Sequence, residues 1–231
     1  MHTRYYPLFV SLHERVCLVV GGGSVAERKI RTLQSCGASI RVVAPSLTAW
    51  LQVQQALNRI DHLGTGYQSS HLNGVDLVFV ATDSLALNQQ VAADAQIRRI
   101  WCNMATDPHL GSFVVPAMVE RGLLSIAIST AGVSPAVARR IREALEQQFG
   151  PEWGPYLVLL GSIRTAIQQK QLGTEENQRL FKEIAQLPLL DWLRDGQREP
   201  ALQTLRELCK PCLTYDELAT FWKEACAQYS S

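Results

Sequence analysis

The chain has 231 residues, of which 47% are hydrophobic and 19% are charged, and its formal net charge is +1. This length suits one large domain or two small ones, and the apolar fraction can supply a sizeable core. The near-neutral charge gives no indication of binding to nucleic acid or to a membrane surface. The first residues lack the long apolar core of a secretion signal, and no apolar run approaches the length of a membrane span, so we expect a cytoplasmic location.

The first strong pattern is an apolar strand, 17–20, followed by three consecutive glycines, Gly21, Gly22 and Gly23, and then by a helix. The spacing Gly21-x-Gly23-x-x-Ala26 is the fingerprint of a dinucleotide-binding turn. Gly21 can adopt backbone angles that a side chain forbids, and Gly23 lets a pyrophosphate approach the backbone. Ala26 allows the helix to pack closely on the strand, and the free N–H groups at the helix start then face the phosphates. The alternative is an ordinary turn between a strand and a helix.

The residue that usually holds the ribose is missing from its expected position. In dinucleotide-binding domains an acidic residue commonly follows the fingerprint by about 20 positions, at the end of the second strand. Here the strand predicted at 40–43 ends in Ala44, Pro45 and Ser46, without a carboxylate. The Ser46 hydroxyl can bond a ribose hydroxyl less selectively, so the spacing alone leaves the choice between NAD and NADP open.

Strands and helices continue to alternate through the first half of the chain. Strands are predicted at 16–20, 40–43, before residue 67, at 76–82 and at 100–103, with helices at 24–36, 47–58 and 85–98. This alternation predicts an α/β fold with a parallel sheet and right-handed crossovers. Ligands of such sheets gather at the C-terminal ends of the strands, so we expect Thr82, Asp83 and Asp107 near the ligand. A competing interpretation is that Asp83 only caps the following helix.

The pattern changes after residue 112. Segments 113–116 and 123–129 are predicted strands with no helix between them, and Ser134 and Pro135 start a helix with an apolar stripe of Val137, Ile141 and Leu145. A strand pair with one helix is too small to be stable alone, so we expect it to associate with a second chain. From residue 151 onward only helices are predicted, the last of them started by a capping box of Thr214 and Glu217.

Two groups of basic side chains each have two interpretations. One group lies on the helix after the glycines: Arg28, Lys29 and Arg31. The other lies on the helix that starts at Ser134: Arg139, Arg140 and Arg142. Both groups are expected to face solvent; the alternatives are a phosphate contact for the first group and a carboxylate-binding edge for the second.

The cysteines fall into two sets. Cys17, Cys36 and Cys102 lie in apolar or helical contexts typical of core thiols. Cys209 and Cys212 form a lone CxxC that is either redox-active, half of a metal site or a chance spacing. No second CxxC or nearby His completes four ligands, so no metal site is predicted.

Five motifs follow one another in a diagnostic order: 6–9 (YPLF), 19–29 (VVGGGSVAERK), 42–45 (VVAP), 81–83 (ATD) and 129–135 (STAGVSP). Together they resemble the precorrin-2 dehydrogenase/sirohydrochlorin ferrochelatase family, the NAD-dependent module of siroheme synthase. The resemblance implies an NAD-binding Rossmann domain with a parallel sheet, followed by a small α+β dimerisation domain and an all-helical C-terminal domain. The corresponding ranges are 1–112, 113–150 and 151–231, and the resemblance also implies a homodimer.

The family resemblance implies a reaction and a set of site residues. NAD⁺ takes hydride from precorrin-2 to give sirohydrochlorin, and many members then insert Fe²⁺ in the same cleft to give siroheme. The cofactor positions implied by the resemblance and by the strand ends are Gly21, Gly22, Gly23, Ser24, Val25, Pro45, Ser46, Thr82 and Asp83. The expected substrate-binding residues are Asn103, Ser129, Thr130 and Arg139.

The chain departs from the family at its principal acid. That carboxylate usually follows the Asn of the fifth strand, and Thr106 occupies its place, with Asp107 one position later. A threonine hydroxyl is a poor base at neutral pH, so we expect Asp107 to serve, with Thr106 as the second catalytic candidate. Two alternatives follow: a dehydrogenase without chelatase activity, and a non-catalytic module that binds NAD or a tetrapyrrole.

Overall fold

The computed structural model describes residues 5–170 and 173–227, and it divides into two compact units between Val115 and Pro116. This division lies close to the first predicted domain boundary, after residue 112. The finer partition of the second unit into 113–150 and 151–231 stays a prediction.

The first unit is built around a five-stranded parallel sheet in the order β3-β2-β1-β4-β5. Its strands are β1 (Val16–Val20), β2 (Ser39–Val43), β3 (Asp61–Gly64), β4 (Leu77–Val80) and β5 (Trp101–Met104), and its α-helices are α1 (Ser24–Ser35), α2 (Ala49–Ala56) and α3 (Leu85–Ile97). Short 3₁₀ turns lie at Ser69–Leu72 and Pro108–Leu110. The predicted α/β class and the parallel sheet are confirmed.

Both faces of the sheet are covered, which explains the unbroken apolar character of its central strands. Cys17 and Val19 belong to a core cluster with Ala26 and Ile30 of α1. Leu18 and Val20 point to the other face and pack with a second cluster. Because successive strand residues alternate in direction, β1 needs apolar side chains at every position to fill both clusters.

The ends of two helices show how local sequence sets their boundaries. Gly37, which follows α1, adopts a φ of +75°, a left-handed conformation that glycine takes at low cost. Ser84 caps α3, since its hydroxyl accepts a hydrogen bond from the Leu87 N–H at 3.3 Å. The alternative in which Asp83 caps this helix is therefore wrong, and Asp83 is exposed at the strand end.

The second unit begins with an antiparallel pair, β6 (Ala117–Arg121) and β7 (Leu124–Ile128), followed by α4 (Pro135–Gln148). The strand predicted at 113–116 is wrong. The N–H groups of Ser112 and Phe113 bond instead to the Cys102 carbonyl at the edge of β5, and Pro116 has no N–H to offer a ladder. The first strand of the pair therefore starts at Ala117.

The remainder of the second unit is helical, as predicted. Its helices are α5 (Trp153–Gln169), α6 (Thr174–Gln186), α7 (Leu189–Arg194), α8 (Arg198–Leu208) and α9 (Tyr215–Ala227). The predicted capping box before α9 is confirmed: the Thr214 N–H donates to Glu217 Oε2 at 2.8 Å, and the Glu217 N–H donates to Thr214 Oγ1 at 3.3 Å. Among the described residues, no helix is long and apolar enough to cross a membrane.

The structure shows how far the apolar stripe of α4 and three of the cysteines are buried. Val137 and Ile141 on α4 are 49% and 40% exposed, so the predicted apolar stripe lacks a cover within the described chain. Cys36 is exposed, because it lies at the end of α1 rather than on the face that packs on the sheet. Cys17 and Cys102 are buried as predicted.

Candidate functional site

The glycine turn between β1 and α1 is tightly packed on one side and open on the other. Gly21 has a φ of +124°, and a Cβ there would overlap the carbonyl of Ala81. A Cβ on Gly22 would overlap the carbonyl of Ser46, whereas a Cβ on Gly23 would meet nothing within 4 Å. The first two glycines are thus required by the fold itself, and the third faces free space above the backbone.

The start of α1 offers N–H groups next to this free space. Gly23 is the residue before the helix, and no side chain caps the first turn. Ser24 and Val25 follow it and are exposed. Uncapped N–H groups and the positive end of the helix dipole favour a phosphate at this position. The open side of Gly23 therefore fits the pyrophosphate of a dinucleotide.

The loop after β2 is held against the glycine turn by a carboxylate that the sequence analysis missed. The Thr48 N–H donates to the Gly22 carbonyl at 3.1 Å, and Thr48 Oγ1 donates to Glu27 Oε2 at 2.6 Å. The bond from Thr48, followed by the bonds from Arg31, holds the pKa of Glu27 below its usual value. Pro45 and Ser46 lie exposed on this loop, and their cofactor-binding role stays a prediction.

At the ends of β4 and β5, a buried amide joins two threonines. Asn88 on α3 is 2% exposed, accepts a bond from the Thr82 hydroxyl at 2.6 Å and donates to the Thr82 carbonyl at 3.0 Å. Its Nδ2 also donates to Thr106 Oγ1 at 3.2 Å. The structure thus brings Thr82 and Thr106 together through a residue that had no assigned role.

The two predicted carboxylates occupy different environments at this edge. Asp107 is half-buried, and its Oδ1 accepts a hydrogen bond from the His109 N–H at 3.0 Å, which starts the 3₁₀ turn. Thr106 and Asp83 are exposed. All three residues follow the C-terminal ends of neighbouring strands, as predicted. Of the neighbours Thr106 and Asp107, only Asp107 carries a carboxylate, and its role as a base stays a prediction.

A lysine predicted to face solvent instead reaches the end of the sheet. Lys29 Nζ donates to Asn103 Oδ1 at 2.8 Å, and Asn103 Nδ2 donates to the Phe113 carbonyl at 3.1 Å. Burial lowers the pKa of the Lys29 ammonium, and the nearby charge of Arg28 lowers it further. Asn103 is 4% exposed with both ends of its amide engaged, so its predicted contact with substrate stays a prediction.

The other predicted substrate residues lie in the second unit, around the start of α4. Ser129 Oγ accepts from the Ala131 N–H at 3.1 Å, and Thr130 Oγ1 donates to the Ser134 carbonyl at 3.0 Å. Arg139 is exposed and pairs with Glu143 at 2.8 Å. These bonds shape the turn before the helix and partly neutralise Arg139. A substrate role for the three residues stays a prediction.

The two cysteines of the CxxC motif lie inside the helical part of the chain. Cys209 and Cys212 are both buried in the helical core. Burial, with a smaller effect of Cys212, raises the pKa of the Cys209 thiol to about 12. Across the described ranges, no cluster of three or more His, Cys, Asp or Glu side chains could hold a metal ion. Burial thus disfavours the thiolate form of Cys209, and the assignment of the pair to a chance spacing stays a prediction.

Sequence signals for the missed residues were present but ambiguous. Glu27 and Lys29 lie in the motif after the glycines, where helical spacing alone cannot show which side chain turns toward the neighbouring loop and which toward β5. Thr48 falls inside the helix predicted at 47–58, whereas in the structure it caps α2, since its hydroxyl accepts from the Leu51 N–H at 3.3 Å. Asn88 also matches the family, but its position in the helix predicted at 85–98 does not show its partners.

Comparisons with known proteins agree with this geometry. A family model of NAD(P)-binding domains matches residues 8–117, and a model for the central part of the sirohaem biosynthesis protein matches residues 121–148. The siroheme synthase of Methylobacillus flagellatus is 34% identical over 87% of this chain and 43% of its own length. That of Citrobacter koseri is 38% identical over 78% of this chain and 39% of its own length. The chain thus spans less than half of these relatives.

A solved structure matches over its whole length. SirC, a precorrin-2 dehydrogenase, aligns with a TM-score of 0.73 and 29% identity, covering 88% of this chain and 100% of SirC. The fold and the glycine turn define an NAD(P)-binding protein of the Rossmann class. More specifically, the chain belongs to the precorrin-2 dehydrogenase/sirohydrochlorin ferrochelatase family, the module that siroheme synthases contain.

Proposed function

We propose that this protein oxidises precorrin-2 to sirohydrochlorin with NAD⁺. The observation that carries the proposal is the glycine turn, which is closed at Gly21 and Gly22 and open at Gly23, beside an uncapped helix start. The alignment with the whole of SirC supports the substrate, because SirC is a precorrin-2 dehydrogenase of similar extent.

The residues of the first unit have distinct tasks in this reaction. The N–H groups at Ser24 and Val25 would hold the pyrophosphate, and Pro45 and Ser46 would contact the adenosine half. Bound NAD⁺ supplies the hydride acceptor. Asp107 accepts the proton that precorrin-2 loses, because it is the carboxylate that follows β5 directly. The protein therefore contributes placement and proton transfer.

Iron insertion into sirohydrochlorin is the second candidate function, with Fe²⁺ as a substrate. The Asp107 carboxylate favours it, since it can accept the pyrrole protons that leave when the metal enters. Thr106 in the place of the family's acid favours a dehydrogenase without this activity. A third class, a module that binds NAD or a tetrapyrrole without turnover, remains the alternative to both enzymes.

One assay separates these functions. Protein, NAD⁺ and fresh precorrin-2 are mixed while NADH absorbance is followed, and Fe²⁺ is then added. NADH growth supports the dehydrogenase, and a siroheme spectrum formed faster than without protein adds the chelatase. NADH growth without an iron response leaves a dehydrogenase alone. Bound NAD⁺ without NADH growth would overturn the enzymatic proposal.

The second unit supports a homodimer through an exposed apolar face. Val133, before α4, and Val137 and Ile141 on α4 are exposed, and each strand of the β6–β7 pair has one unpaired edge within the described chain. A two-stranded sheet is marginal without further cover. Sedimentation equilibrium should give a dimer, and Ile141→Lys should shift it toward monomer, whereas the exposed Arg140→Lys should not. A cytoplasmic location stays a prediction.

A further inference from the structure

The hydrogen bonds around Asn88 determine which way the Thr106 hydroxyl points. Asn88 has two N–H groups, and both are used: one donates to the Thr82 carbonyl and the other to Thr106 Oγ1. Its Oδ1 accepts the Thr82 hydroxyl hydrogen. Asn88 is 2% exposed, so its own amide group is shielded from water. Its orientation is fixed by three polar contacts that leave it one arrangement.

This arrangement gives Thr106 a defined polarity. A hydroxyl has one hydrogen to donate and two lone pairs to accept with. Because Asn88 Nδ2 donates to Thr106 Oγ1, the Thr106 hydrogen is directed away from Asn88. Thr106 is exposed at the C-terminal edge of the sheet, where ligands of parallel sheets bind. It therefore presents a donor to this edge.

We propose that Thr106 donates a hydrogen bond to a carboxylate of the tetrapyrrole, and that Asn88 is the positioning residue that aims it. This inference rests on the proposed function, which supplies a substrate rich in carboxylates. It gives Thr106 a role in binding, in place of the proton transfer for which a hydroxyl is unsuited at neutral pH. Asn88, which touches no substrate in this account, acts only through Thr106.

The measurement is the affinity for sirohydrochlorin, read from its absorbance on titration with protein, together with KM and kcat for precorrin-2. Thr106→Val removes the donor and keeps the shape, so the dissociation constant and KM should rise about tenfold, with kcat within about twofold. Thr106→Ser keeps the hydroxyl and should restore wild-type affinity. Thr220→Val on α9, whose hydroxyl bonds its own helix at Asp216, is the matched control and should change nothing.

A second variant tests the positioning role. Asn88→Asp preserves size, but its carboxylate only accepts, so the Thr106 hydroxyl turns inward and affinity should fall about tenfold, as in Thr106→Val. The double variant Asn88→Asp/Thr106→Val should bind no more weakly than Thr106→Val alone. Wild-type affinity in Thr106→Val overturns the proposal, even if Asn88→Asp does not fold. Additive losses in the double variant show that Asn88 has a purely structural role.

These readouts separate the inference from the proposed function. Turnover by the wild-type protein tests the dehydrogenase, whereas the ratio between variant and wild-type affinity tests Thr106 and Asn88. If the wild type binds sirohydrochlorin without forming NADH, the enzymatic proposal fails and the titration still decides the inference. If the wild type does not bind the tetrapyrrole at all, the inference is overturned.

Discussion

The ammonium of Lys29 on α1 donates a hydrogen bond to Asn103 Oδ1 near the end of β5, over 2.8 Å. Asn103 in turn donates to the Phe113 carbonyl, at the start of the segment that leaves the sheet. Lys29 Nζ also lies 5.7 Å from the centre of the Phe79 ring, which packs edge-on against Phe113. One side chain from the first helix thus ties the last strand of the sheet to the segment that follows it.

Replacing Lys29 should destabilise the protein. Lys29→Met leaves the buried Asn103 Oδ1 without this donor, and the free energy of unfolding should fall by about 1–2 kcal/mol. Urea denaturation measures it. Arg28→Met removes the same charge from an exposed position on the same helix, and it should change stability by less than about 0.5 kcal/mol. Equal effects of the two substitutions would show that the Asn103 bond contributes nothing specific.

Two glycines of the turn, Gly22 and Gly23, should respond differently to alanine. Gly23→Ala meets free space, so the melting temperature should stay unchanged while NAD⁺ affinity falls about tenfold or more, since the new methyl group blocks the pyrophosphate. Gly22→Ala collides with the Ser46 carbonyl and should cost about 1–3 kcal/mol of stability. Calorimetric titration with NAD⁺ and thermal denaturation check both. Wild-type NAD⁺ affinity in Gly23→Ala would place the cofactor elsewhere.

The Glu27–Thr48 contact predicts a pH dependence. The pKa of Glu27 is lowered in the folded protein, first by the bond from Thr48 and then by those from Arg31. The unfolded chain therefore takes up this proton at a higher pH than the folded protein does. The stabilising contribution is complete above the ordinary glutamate value of 4.5 and is lost as the pH falls through the lowered value.

Glu27→Gln tests this dependence, because the amide oxygen can still accept from Thr48 but no longer titrates. The difference in unfolding free energy between wild type and Glu27→Gln should shrink as the pH falls below 4.5. Denaturant titrations across this range measure it. A difference that stays constant from neutral to acid pH would contradict the lowered pKa of Glu27.

Asp107 should carry the proton transfer. Asp107→Asn keeps an oxygen that accepts from the His109 N–H, so the 3₁₀ turn should remain, but kcat for precorrin-2 should fall about 100-fold. The initial rate of NADH formation at saturating substrates measures this. Asp61→Asn, an exposed change of the same charge on β3, is the control. A wild-type kcat in Asp107→Asn would exclude Asp107 as the base.

Much of the fold could be predicted from the sequence because the apolar runs, the glycines and the capping residues all indicate the same strands and helices. Buried strands such as β1 and β4 are unbroken apolar runs, and glycine or a capping residue closes the helices. The prediction of a strand at 113–116 was wrong because the apolar character of a segment does not determine which backbone groups it bonds to. Phe113 bonds to Cys102 at the edge of β5, a contact between residues distant in sequence.

The parts of the candidate site that depend on local backbone geometry could be predicted. The parts that depend on hydrogen bonds between side chains of different helices, strands and loops could not. The backbone requirements at Gly21 and Gly23 follow from local shape: a Cβ at Gly21 would overlap the Ala81 carbonyl, and Gly23 faces free space. The partners of Glu27, Lys29 and Asn88 lie 21, 74 and 18 residues away in the chain, at Thr48, Asn103 and Thr106. Helical periodicity predicts which face of the helix carries such a residue, but not which loop or strand its side chain contacts.

Formation of NADH from NAD⁺ and precorrin-2 is the most direct test of the dehydrogenase function. Initial rates should be measured for wild type and Gly23→Ala over a range of NAD⁺ concentrations. We expect steady NADH production by the wild type and a KM for NAD⁺ raised about tenfold or more in Gly23→Ala. NAD⁺ that binds the wild type without any NADH being formed would contradict the account and indicate a non-catalytic binding module.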